Sequence, residues 1–352
     1  MIPPHNIYIH VPFCISKCNY CAFFSRACEN PDWHEYENNI LREIAHWAQL
    51  LGRVHVPTVF FGGGTPSLMP VKTFENIMSA LRNSFYVDSD CEITLESNPG
   101  TIDDEKLAGF IDAGMNRLSV GVQSLDDTKL QFLGRRHNAR AALNLLNAAV
   151  ARNIRVSADF IYGLPGDTVS DVIKLCGDIN SLGLNHCSMY ELTLEPGTPF
   201  ANMQLQMPSN DEMADMYNAV GDNLSIPRYE VSNYATPGNE CKHNMNVWDG
   251  APYVGIGRGA AGRVLIDDVW YEQLGGGVRF EKLSPGARAI ERVITGLRMV
   301  RGVGLDKDVK KIINMDYVHA HGDLIRTTAN DRLAATPRGM LVLDDIILNL
   351  VG

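Results

Sequence analysis

The 352-residue sequence lacks both a long apolar run and an excess of basic residues. No stretch approaches the roughly 20 apolar residues that a membrane-spanning helix requires, and the N-terminal residues show no signal-peptide pattern. Lys and Arg total 31 against 41 Asp and Glu, a formal net charge of −10. A surface for nucleic acid or anionic membranes needs excess Lys and Arg, so we expect neither partner and a cytoplasmic location.

Cysteine is also infrequent, and the eight cysteines are too unevenly spread for a disulfide framework. Three of them, Cys14, Cys18 and Cys21, fall within HVPFCISKCNYCAFF, residues 10–24, and no fourth cysteine follows directly. A structural zinc site and an electron-transfer iron–sulfur cluster each need four protein ligands. Three thiolates suit a four-iron cluster with one iron left open, so we predict a [4Fe–4S] cluster on these cysteines.

Six short β-prone runs alternate with segments of helical periodicity. The predicted strands are 7–11, 57–63, 92–98, 117–124, 156–163 and 186–192, and the clearest helices are 32–51, 72–84, 103–113, 138–152 and 168–181. Such alternation predicts an α/β fold with a parallel sheet. Six β/α units are too few for a closed eight-stranded barrel, so we expect a partial (β/α)6 barrel with functional loops at the carboxyl ends of its strands.

The strand–helix alternation is lost from about residue 195, where Gly, Pro and Asn become frequent. After residue 284, SPGARAIERVITGLRMVRG has the spacing of an amphipathic helix, and the C-terminal residues predict a strand, a turn at 337–339 and a closing helix. We therefore predict a partial barrel over residues 1–225 and a smaller α+β domain over residues 226–352.

The CxxxCxxC spacing of the three cysteines, with Tyr20 between the last two, resembles that of radical S-adenosylmethionine proteins. The resemblance implies that S-adenosylmethionine chelates the open iron and that an electron from the cluster cleaves its sulfonium to a 5′-deoxyadenosyl radical. It extends over nearly the whole chain to the branch of oxygen-independent coproporphyrinogen III oxidases and HemW-type haem chaperones, and it is closer to the chaperones.

The resemblance also implies which residues contact S-adenosylmethionine. Gly64 and Thr65 follow the glycine run of FFGGGTPS, where a loop without side chains lets backbone groups approach a ligand. A phosphate-binding loop is the alternative, but no Lys-Ser/Thr pair follows the glycines. The other implied contacts are Tyr8, Tyr20, Glu96, Gln123, Arg135 and Asp159, the last four expected at or just beyond strand ends. Without the resemblance, those four would be interpreted as solvated or capping residues.

Two features separate the chaperones from the oxidases within this branch. The oxidases carry a fourth cysteine two residues after the third and a longer segment before the first strand, whereas here position 23 is Phe and six residues precede the predicted strand. The block YEVSNYATPGNECKHNMNVWDGAPYVGIGRGAAG, residues 229–262, resembles the chaperone signatures. We therefore predict a haem chaperone that delivers haem to a recipient, such as a membrane-bound respiratory enzyme. Coproporphyrinogen III decarboxylation and a cluster-bearing protein without a haem role are the alternatives.

The same resemblance implies that His243 is the haem ligand, with Cys241 as a second candidate. The chain departs from the chaperone pattern at Val247, where Tyr is usual, and at Ala261, where His is usual. We expect His243 in a Gly/Pro/Asn-rich loop outside the barrel, with Trp248 covering a porphyrin face. A loop histidine hydrogen-bonded to backbone is the alternative interpretation.

Overall fold

The computed structural model describes residues 3–275 and 279–351. Within these ranges, eleven strands form one sheet in the order β13-β12-β11-β10-β1-β4-β5-β6-β7-β8-β9. The strands are β1 (Asn6–Val11), β2 (Phe13–Cys14), β3 (Arg26–Ala27), β4 (His55–Gly63), β5 (Tyr86–Ser97), β6 (Arg117–Gln123), β7 (Arg155–Tyr162), β8 (His186–Glu191), β9 (Asn233–Ala235), β10 (Tyr253–Ile256), β11 (Gly262–Ile266), β12 (Val269–Gln273), β13 (Phe280–Lys282), β14 (Val303–Gly304), β15 (Ile325–Thr327) and β16 (Arg332–Ala335).

The helices of the first half of the chain follow the predicted alternation. The helices are α1 (Trp33–Leu51), α2 (Val71–Ser84), α3 (Asp104–Asp112), α4 (Asp127–Phe132), α5 (Ala139–Val150), α6 (Val169–Ser181), α7 (Asn210–Asn223), α8 (Lys242–Trp248), α9 (Pro285–Gly296), α10 (Val309–Ile312), α11 (Met315–Ala320), α12 (Pro337–Met340) and α13 (Leu343–Leu350). The five predicted helices correspond to α1, α2, α3, α5 and α6. Side chains of Asp32, Asp103, Asn138 and Thr168 accept N–H groups of the first turns, which fixes where these helices begin.

The predicted parallel sheet is confirmed. Strands β1 and β4 to β8 are the six predicted runs, and each pairs in parallel with its neighbour. Strand β5 begins at Tyr86 rather than at residue 92, because Tyr86 and Val87 also pair with β4, ahead of an irregularity after which the pairing resumes at Glu92. The carboxyl ends of these strands meet at one edge, and the loop with the three cysteines leaves β1 at that edge.

Helix α7 was not predicted. It is amphipathic, with Met213, Met216, Ala219 and Val220 buried, and Ser209 and Glu212 form a capping box at its start. The helix packs against α6 and so extends the outer layer of the barrel beyond residue 195. The strand–helix alternation therefore continues for one helix beyond residue 195, where the sequence predicted its loss.

Strands from the second half of the chain extend the barrel sheet. Strand β10 pairs in parallel with β1, and β11 to β13 continue the sheet from there. A second hydrophobic core lies among α9 to α13 and β14 to β16, where Val293, Leu297, Val309, Leu333 and Ile346 are buried. The domain division at 225/226 stays a prediction, because one sheet contains strands from both sides of it.

The C-terminal predictions are met in part. Helix α9 is the predicted amphipathic helix, and β16 and α13 are the predicted strand and closing helix. The predicted turn at 337–339 is instead the short helix α12, because Thr336 accepts the N–H of Gly339. No helix of the described ranges is long and apolar enough to cross a bilayer.

Candidate cofactor site

The three cysteines lie in the segment that follows β1. Cys14 is in β2, whose parallel pairing with β3 is extended by the hydrogen bond from the Cys28 N–H to the Cys14 carbonyl, at 2.9 Å. Cys14 is buried, whereas Cys18 and Cys21 are partly exposed, and all three thiols are free. The segment therefore anchors its first thiol in the fold and leaves the other two near the surface.

The three thiols are close enough to influence one another. Burial raises the pKa of Cys21, and the nearby Cys18 and Cys14 raise it further by repulsion between thiolates. Among the described residues, no group of three or more His, Cys, Asp or Glu side chains is arranged to hold a single metal ion. A four-iron cluster has a different requirement, because each thiolate binds a different iron.

Arg135 connects the cysteine segment to the ends of the neighbouring strands. Its Nη1 lies 3.4 Å from the Cys18 sulfur and 3.4 Å from the Tyr20 hydroxyl, and its Nη2 donates to the Gly121 carbonyl at 2.7 Å and to the Asn98 side chain. Arg135 itself follows helix α4 and not a strand, so its predicted placement at a strand end is wrong. Only its guanidinium reaches the end of β6.

A cavity of about 370 Å³, here called the cysteine cavity, adjoins this arginine. Cys18, Thr65, Asn98 and Arg135 are among its lining residues. The Asn98 amide donates to the Thr65 hydroxyl at 3.0 Å, so the loops after β4 and β5 are tied together at this wall. The cavity thus combines a predicted cluster ligand with two predicted S-adenosylmethionine contacts.

The glycine run after β4 packs directly against the cysteine segment. The N–H groups of Gly64 and Thr65 donate to the carbonyls of Val11 and Phe13, both at 2.7 Å. A Cβ atom at Gly64 would lie 2.5 Å from the Phe13 carbonyl oxygen, so only glycine allows this approach. Because both N–H groups are occupied, a ligand contact here would use the Thr65 side chain or a carbonyl.

Two acidic side chains lie inside the barrel. Glu96, near the end of β5, accepts the Gly63 N–H at 3.1 Å, and burial together with the charge of Asp159 raises its pKa to about 8. Asp159 accepts the hydroxyl of Ser119 at 3.1 Å, and burial raises its pKa also. It lies within β7, not at its end as predicted. Two buried carboxyl groups favour the binding of a cation.

Gln123 and Tyr20 complete the predicted set. Gln123 is the last residue of β6, is buried, and has a φ of 67°, which bends the chain at the strand end. Burial is the main cause of the raised pKa of Tyr20, which stays a neutral hydroxyl beside Arg135. Gln123 and Asp159 line neither the cysteine cavity nor the second cavity described below.

His243 does not lie in a loop outside the barrel, and that expectation is wrong. It belongs to helix α8 and is only 5% exposed, packed against the Phe60 ring at a centroid distance of 5.1 Å. The helix is held by Glu92 of β5, which is fully buried and accepts the backbone N–H groups of Lys242 at 3.0 Å and His243 at 2.9 Å. A carboxylate at this position satisfies the free N–H groups of the first helical turn.

Cys241 contacts the same carboxylate and is a poor ligand candidate. Its thiol lies 3.7 Å from Glu92 Oε1, and burial raises its pKa to about 12. Arg155 balances the charge of Glu92 through an ion pair of 2.8 Å. Since thiolate is the form that binds metals, a thiol held protonated beside a carboxylate is disfavoured as an iron ligand.

A chain of hydrogen bonds fixes the tautomer of His243. The Asn6 amide donates to the Pro252 carbonyl at 3.1 Å, and the Thr58 hydroxyl donates to Asn6 Oδ1 at 2.8 Å. The Thr58 oxygen must therefore accept from Nδ1–H of His243, at 2.7 Å. Burial lowers the pKa of His243 to about 4, so Nε2 carries a lone pair at neutral pH, and no partner for Nε2 is found among the described residues.

His243 lines a second cavity of about 410 Å³, here called the histidine cavity. Tyr8, Glu96 and Trp248 line it as well, and so do Val247 and Ala261, the two positions that depart from the chaperone pattern. At both positions an apolar side chain therefore replaces a polar one on the wall of the histidine cavity.

His10 also lines the histidine cavity but has no free ring nitrogen. Its Nε2–H donates to the Phe24 carbonyl at 2.7 Å, so its Nδ1 must accept the Tyr8 hydroxyl at 3.0 Å. Between the two histidines of this wall, only His243 has a nitrogen available to a ligand. His10 is thus a structural residue that holds the segment after the third cysteine.

The sequence did not indicate the residues that support His243. Thr58 and Asn6 lie 185 and 237 positions before it and belong to ordinary strands. Glu92 gave a usable signal, because it is a charged residue at the start of the β-prone run EITLESN, residues 92–98. A buried acid in a strand requires partners, but the sequence does not identify them.

Comparisons with known proteins agree with this arrangement. The model of the Radical SAM superfamily matches residues 8–179. The "Heme chaperone HemW" of Escherichia coli K12 is 35% identical over 272 residues, 76% of this chain and 72% of that protein. Its Synechocystis counterpart is 36% identical over 331 residues, 85% of this chain and 79% of that protein.

Among solved structures, coproporphyrinogen III oxidase (HemN) from Escherichia coli is similar with a TM-score of 0.82. Sequence identity is 20%, and the match covers 99% of this chain and 90% of that one. At this level of identity the likeness shows a shared fold, and it confirms the predicted partial barrel.

Proposed function

Since the chain belongs to the radical S-adenosylmethionine superfamily and, within it, to the HemW family of haem chaperones, we propose that it binds haem and delivers it to a recipient protein. The superfamily implies a [4Fe–4S] cluster and S-adenosylmethionine as cofactors. When bound, the cluster supplies the electron that cleaves the sulfonium of S-adenosylmethionine.

Cys14, Cys18 and Cys21 would hold the cluster. The donor set supports this role, because three thiols lie in one segment at the carboxyl end of β1 and Arg135 places a positive charge beside Cys18. Thiolate is the form of cysteine that binds iron, and the guanidinium beside Cys18 would offset part of the negative charge of a thiolate-bound cluster.

The acidic pair inside the barrel would accommodate the positive charges of S-adenosylmethionine, its ammonium and sulfonium groups. Glu96 and Asp159 both have raised pKa values because burial disfavours their anions. A bound cation would supply the missing stabilisation and lower both pKa values. Arg135 and Thr65, on the cysteine cavity, are placed for the ligand's carboxylate and other polar groups.

The observation that carries the haem proposal is the fixed tautomer of His243. The chain of hydrogen bonds through Thr58 and Asn6 leaves Nε2 unprotonated on the wall of the histidine cavity. Histidine ligands of metals usually donate their other N–H to a protein acceptor in this way, which orients the ring. Trp248, Phe60 and Tyr8 provide aromatic surface for a porphyrin in the same cavity.

Haem titration of the anaerobically reconstituted protein tests this function. His243→Ala should weaken haem binding at least tenfold, about 1.4 kcal/mol, and shift the Soret band, while iron–sulfur content stays unchanged. Cys241→Ser is the matched control two positions away and should bind haem like the parent. Unchanged binding by His243→Ala would contradict the assignment, and a loss in Cys241→Ser would identify the thiol as the ligand.

The same preparation distinguishes the enzyme alternative. The chaperone proposal expects haem binding without conversion of coproporphyrinogen III to protoporphyrinogen in the presence of S-adenosylmethionine and reductant. Turnover of the porphyrinogen would establish the oxidase function instead. Binding of neither haem nor porphyrinogen would leave a cluster-bearing protein without a haem role.

Delivery to a membrane-bound respiratory enzyme, and a cytoplasmic site for the transfer, stay predictions of the sequence. Mixing the haem-loaded protein with membranes that contain the haem-free enzyme should move the Soret absorbance to the membrane fraction. The haem-free protein with the same membranes is the control. Haem that stays with the protein would contradict this choice of recipient.

A further inference from the structure

A third cavity, of about 970 Å³, lies between helix α1 and the segment after the third cysteine. Phe13, Tyr36 and Ile40 give it an apolar floor, and the exposed rings of Phe23 and Phe24 form one edge. We call it the basic groove, for the cations described next. It is the largest of the cavities described here, and none of the predicted cofactor contacts lines it.

Four cationic side chains line this groove, namely Lys17, Arg26, Arg42 and Arg258. Within the described ranges, none of the four forms an ion pair, although Lys17 donates to the Phe23 carbonyl at 3.2 Å and Arg42 donates to the Asn39 side chain. Arg26 lies over the Phe13 ring at 5.4 Å and Arg258 over the Phe24 ring at 5.7 Å. The side chains of Arg26 and Arg258 therefore have ring contacts but no hydrogen-bond or ion-pair partner among the described residues, and their guanidinium groups are available to a ligand.

Three carboxylates, those of Asp32, Glu35 and Glu43, also line the groove, and in the described part of the chain none of them forms an ion pair with the four cations. Asp32 accepts the Glu35 N–H at the start of α1, at 2.8 Å, and Glu43 accepts the Gly257 N–H, at 2.9 Å. These two carboxylates are oriented by backbone donors and not by the cations, but they keep their charge, so the lining has four cations against three anions. The groove favours an anionic ligand that also has a flat apolar part.

The basic groove and the histidine cavity share a wall. Phe23 and Phe24 line both, and Arg258 on the groove side is followed by Gly259 on the cavity side. A Cβ at Gly259 would overlap the Phe24 ring, so glycine is needed for this contact. The histidine cavity has no Lys or Arg among its lining residues, and its one acid, Glu96, offers no positive charge to a carboxylate.

We propose that the basic groove binds the propionate carboxylates of haem, with Arg26 and Arg258 as their principal partners. This inference rests on the proposed haem function. Haem joins an apolar macrocycle to two carboxylates, and the histidine cavity offers a ligand and aromatic surface but no cation. Free guanidinium groups next to exposed aromatic rings supply what that cavity lacks, since arginine pairs with carboxylates through two parallel hydrogen bonds.

Titration with haem and with haem dimethyl ester, whose carboxylates are blocked, tests the groove. The parent protein should bind haem at least tenfold more tightly than the ester. The double variant Arg26→Gln/Arg258→Gln should lose most of this difference while its affinity for the ester stays unchanged. Arg326→Gln, an exposed and unpaired arginine of β15 outside the groove, should behave like the parent.

Each result decides the inference. Equal binding of haem and ester by the parent would overturn it while leaving the haem function intact, and so would an equal loss for both ligands in the double variant. Unchanged ester affinity also shows that the double variant is folded. Failure of the parent to bind either ligand would remove the proposed haem function, and this inference with it.

Discussion

The cysteine segment and the histidine helix α8 are built in opposite ways. Residues 12–24 carry their three thiols on a short stretch of chain, with two of them partly exposed and few side-chain hydrogen bonds. His243 is buried, and the residues that hold it come from β1, β4 and β5. One region is defined by local spacing, and the other by contacts across the sheet.

This difference has consequences for stability. Removing the partly exposed thiol of Cys18 or Cys21 leaves no buried charge and little empty space, so the fold should tolerate it. The histidine helix depends on a buried carboxylate, a buried hydroxyl and a buried amide, each of which becomes unsatisfied if its partner is lost. We therefore expect substitutions in the cysteine segment to affect cofactor content, and substitutions around α8 to affect both stability and haem affinity.

The largest expected effect is loss of the cluster. Replacing Cys14, Cys18 and Cys21 together with Ala should reduce iron after anaerobic reconstitution from about four atoms per chain to none, because a [4Fe–4S] cluster is held by cysteine thiolates. The measurement is iron and sulfide content, with haem titration in parallel. Haem affinity should be retained if the two regions are independent.

Cys28→Ala is the matched control for the triple variant, because Cys28 lies in the same region and is also partly exposed. It should reconstitute like the parent. Full iron content in the triple variant would place the cluster elsewhere. A large loss of haem affinity in that variant would break the proposed independence of the two regions.

The features that the sequence predicted and those that it missed divide between the cysteine segment and helix α8 in the same way. The cysteine spacing is local, and the alternation of strands and helices is a periodic signal, so the cluster ligands and the parallel sheet could be proposed directly. The helical state of 242–248 was missed because the segment is short and its N-terminal stabilisation comes from Glu92, 150 positions earlier. The placement of Arg135 and Asp159 failed for another reason, because the ends of β6 and β7 were predicted to within one residue. The family resemblance assigns these residues a contact but does not say where along the chain they lie relative to a strand end.

Glu92→Gln should give the second largest effect. The substitution removes the ion pair with Arg155 and points amide hydrogens at the N–H groups of α8, so we expect about 3 kcal/mol lower free energy of unfolding. Urea denaturation followed by tryptophan fluorescence measures it. Glu281→Gln, on the exposed strand β13, is the control and should unfold like the parent. Equal stability of the two variants would show that Glu92 is not needed to hold the helix.

Thr58→Val tests the tautomer of His243 with a smaller change. Valine has nearly the same shape but cannot accept Nδ1–H, so we expect about tenfold weaker haem binding, typical for loss of a partner of a metal-binding histidine. Thr58→Ser keeps the hydroxyl and should restore the parent affinity and Soret position. Parent-like binding by the valine variant would mean that this hydrogen bond does not govern ligation.

The last prediction concerns Glu96, whose effect is spread over several pH units; the family resemblance assigns this residue to S-adenosylmethionine although it lines the histidine cavity. Its pKa is raised to about 8 in the native state from 4.5. Between these values the native state holds a proton that the unfolded state has released, so the stability of the ligand-free protein falls as pH rises. One proton per molecule limits the change in the free energy of unfolding to about 1.4 kcal/mol per pH unit. Because Glu96 keeps some contact with water in the cavity, we expect about half of that slope.

Unfolding free energies of the parent and of Glu96→Gln between pH 5 and 8 should therefore diverge, with the flatter profile in the variant, while Glu281→Gln keeps the parent slope. Parallel profiles would mean that Glu96 is already ionised without a ligand, and the carboxyl would then not be poised to take up a cation.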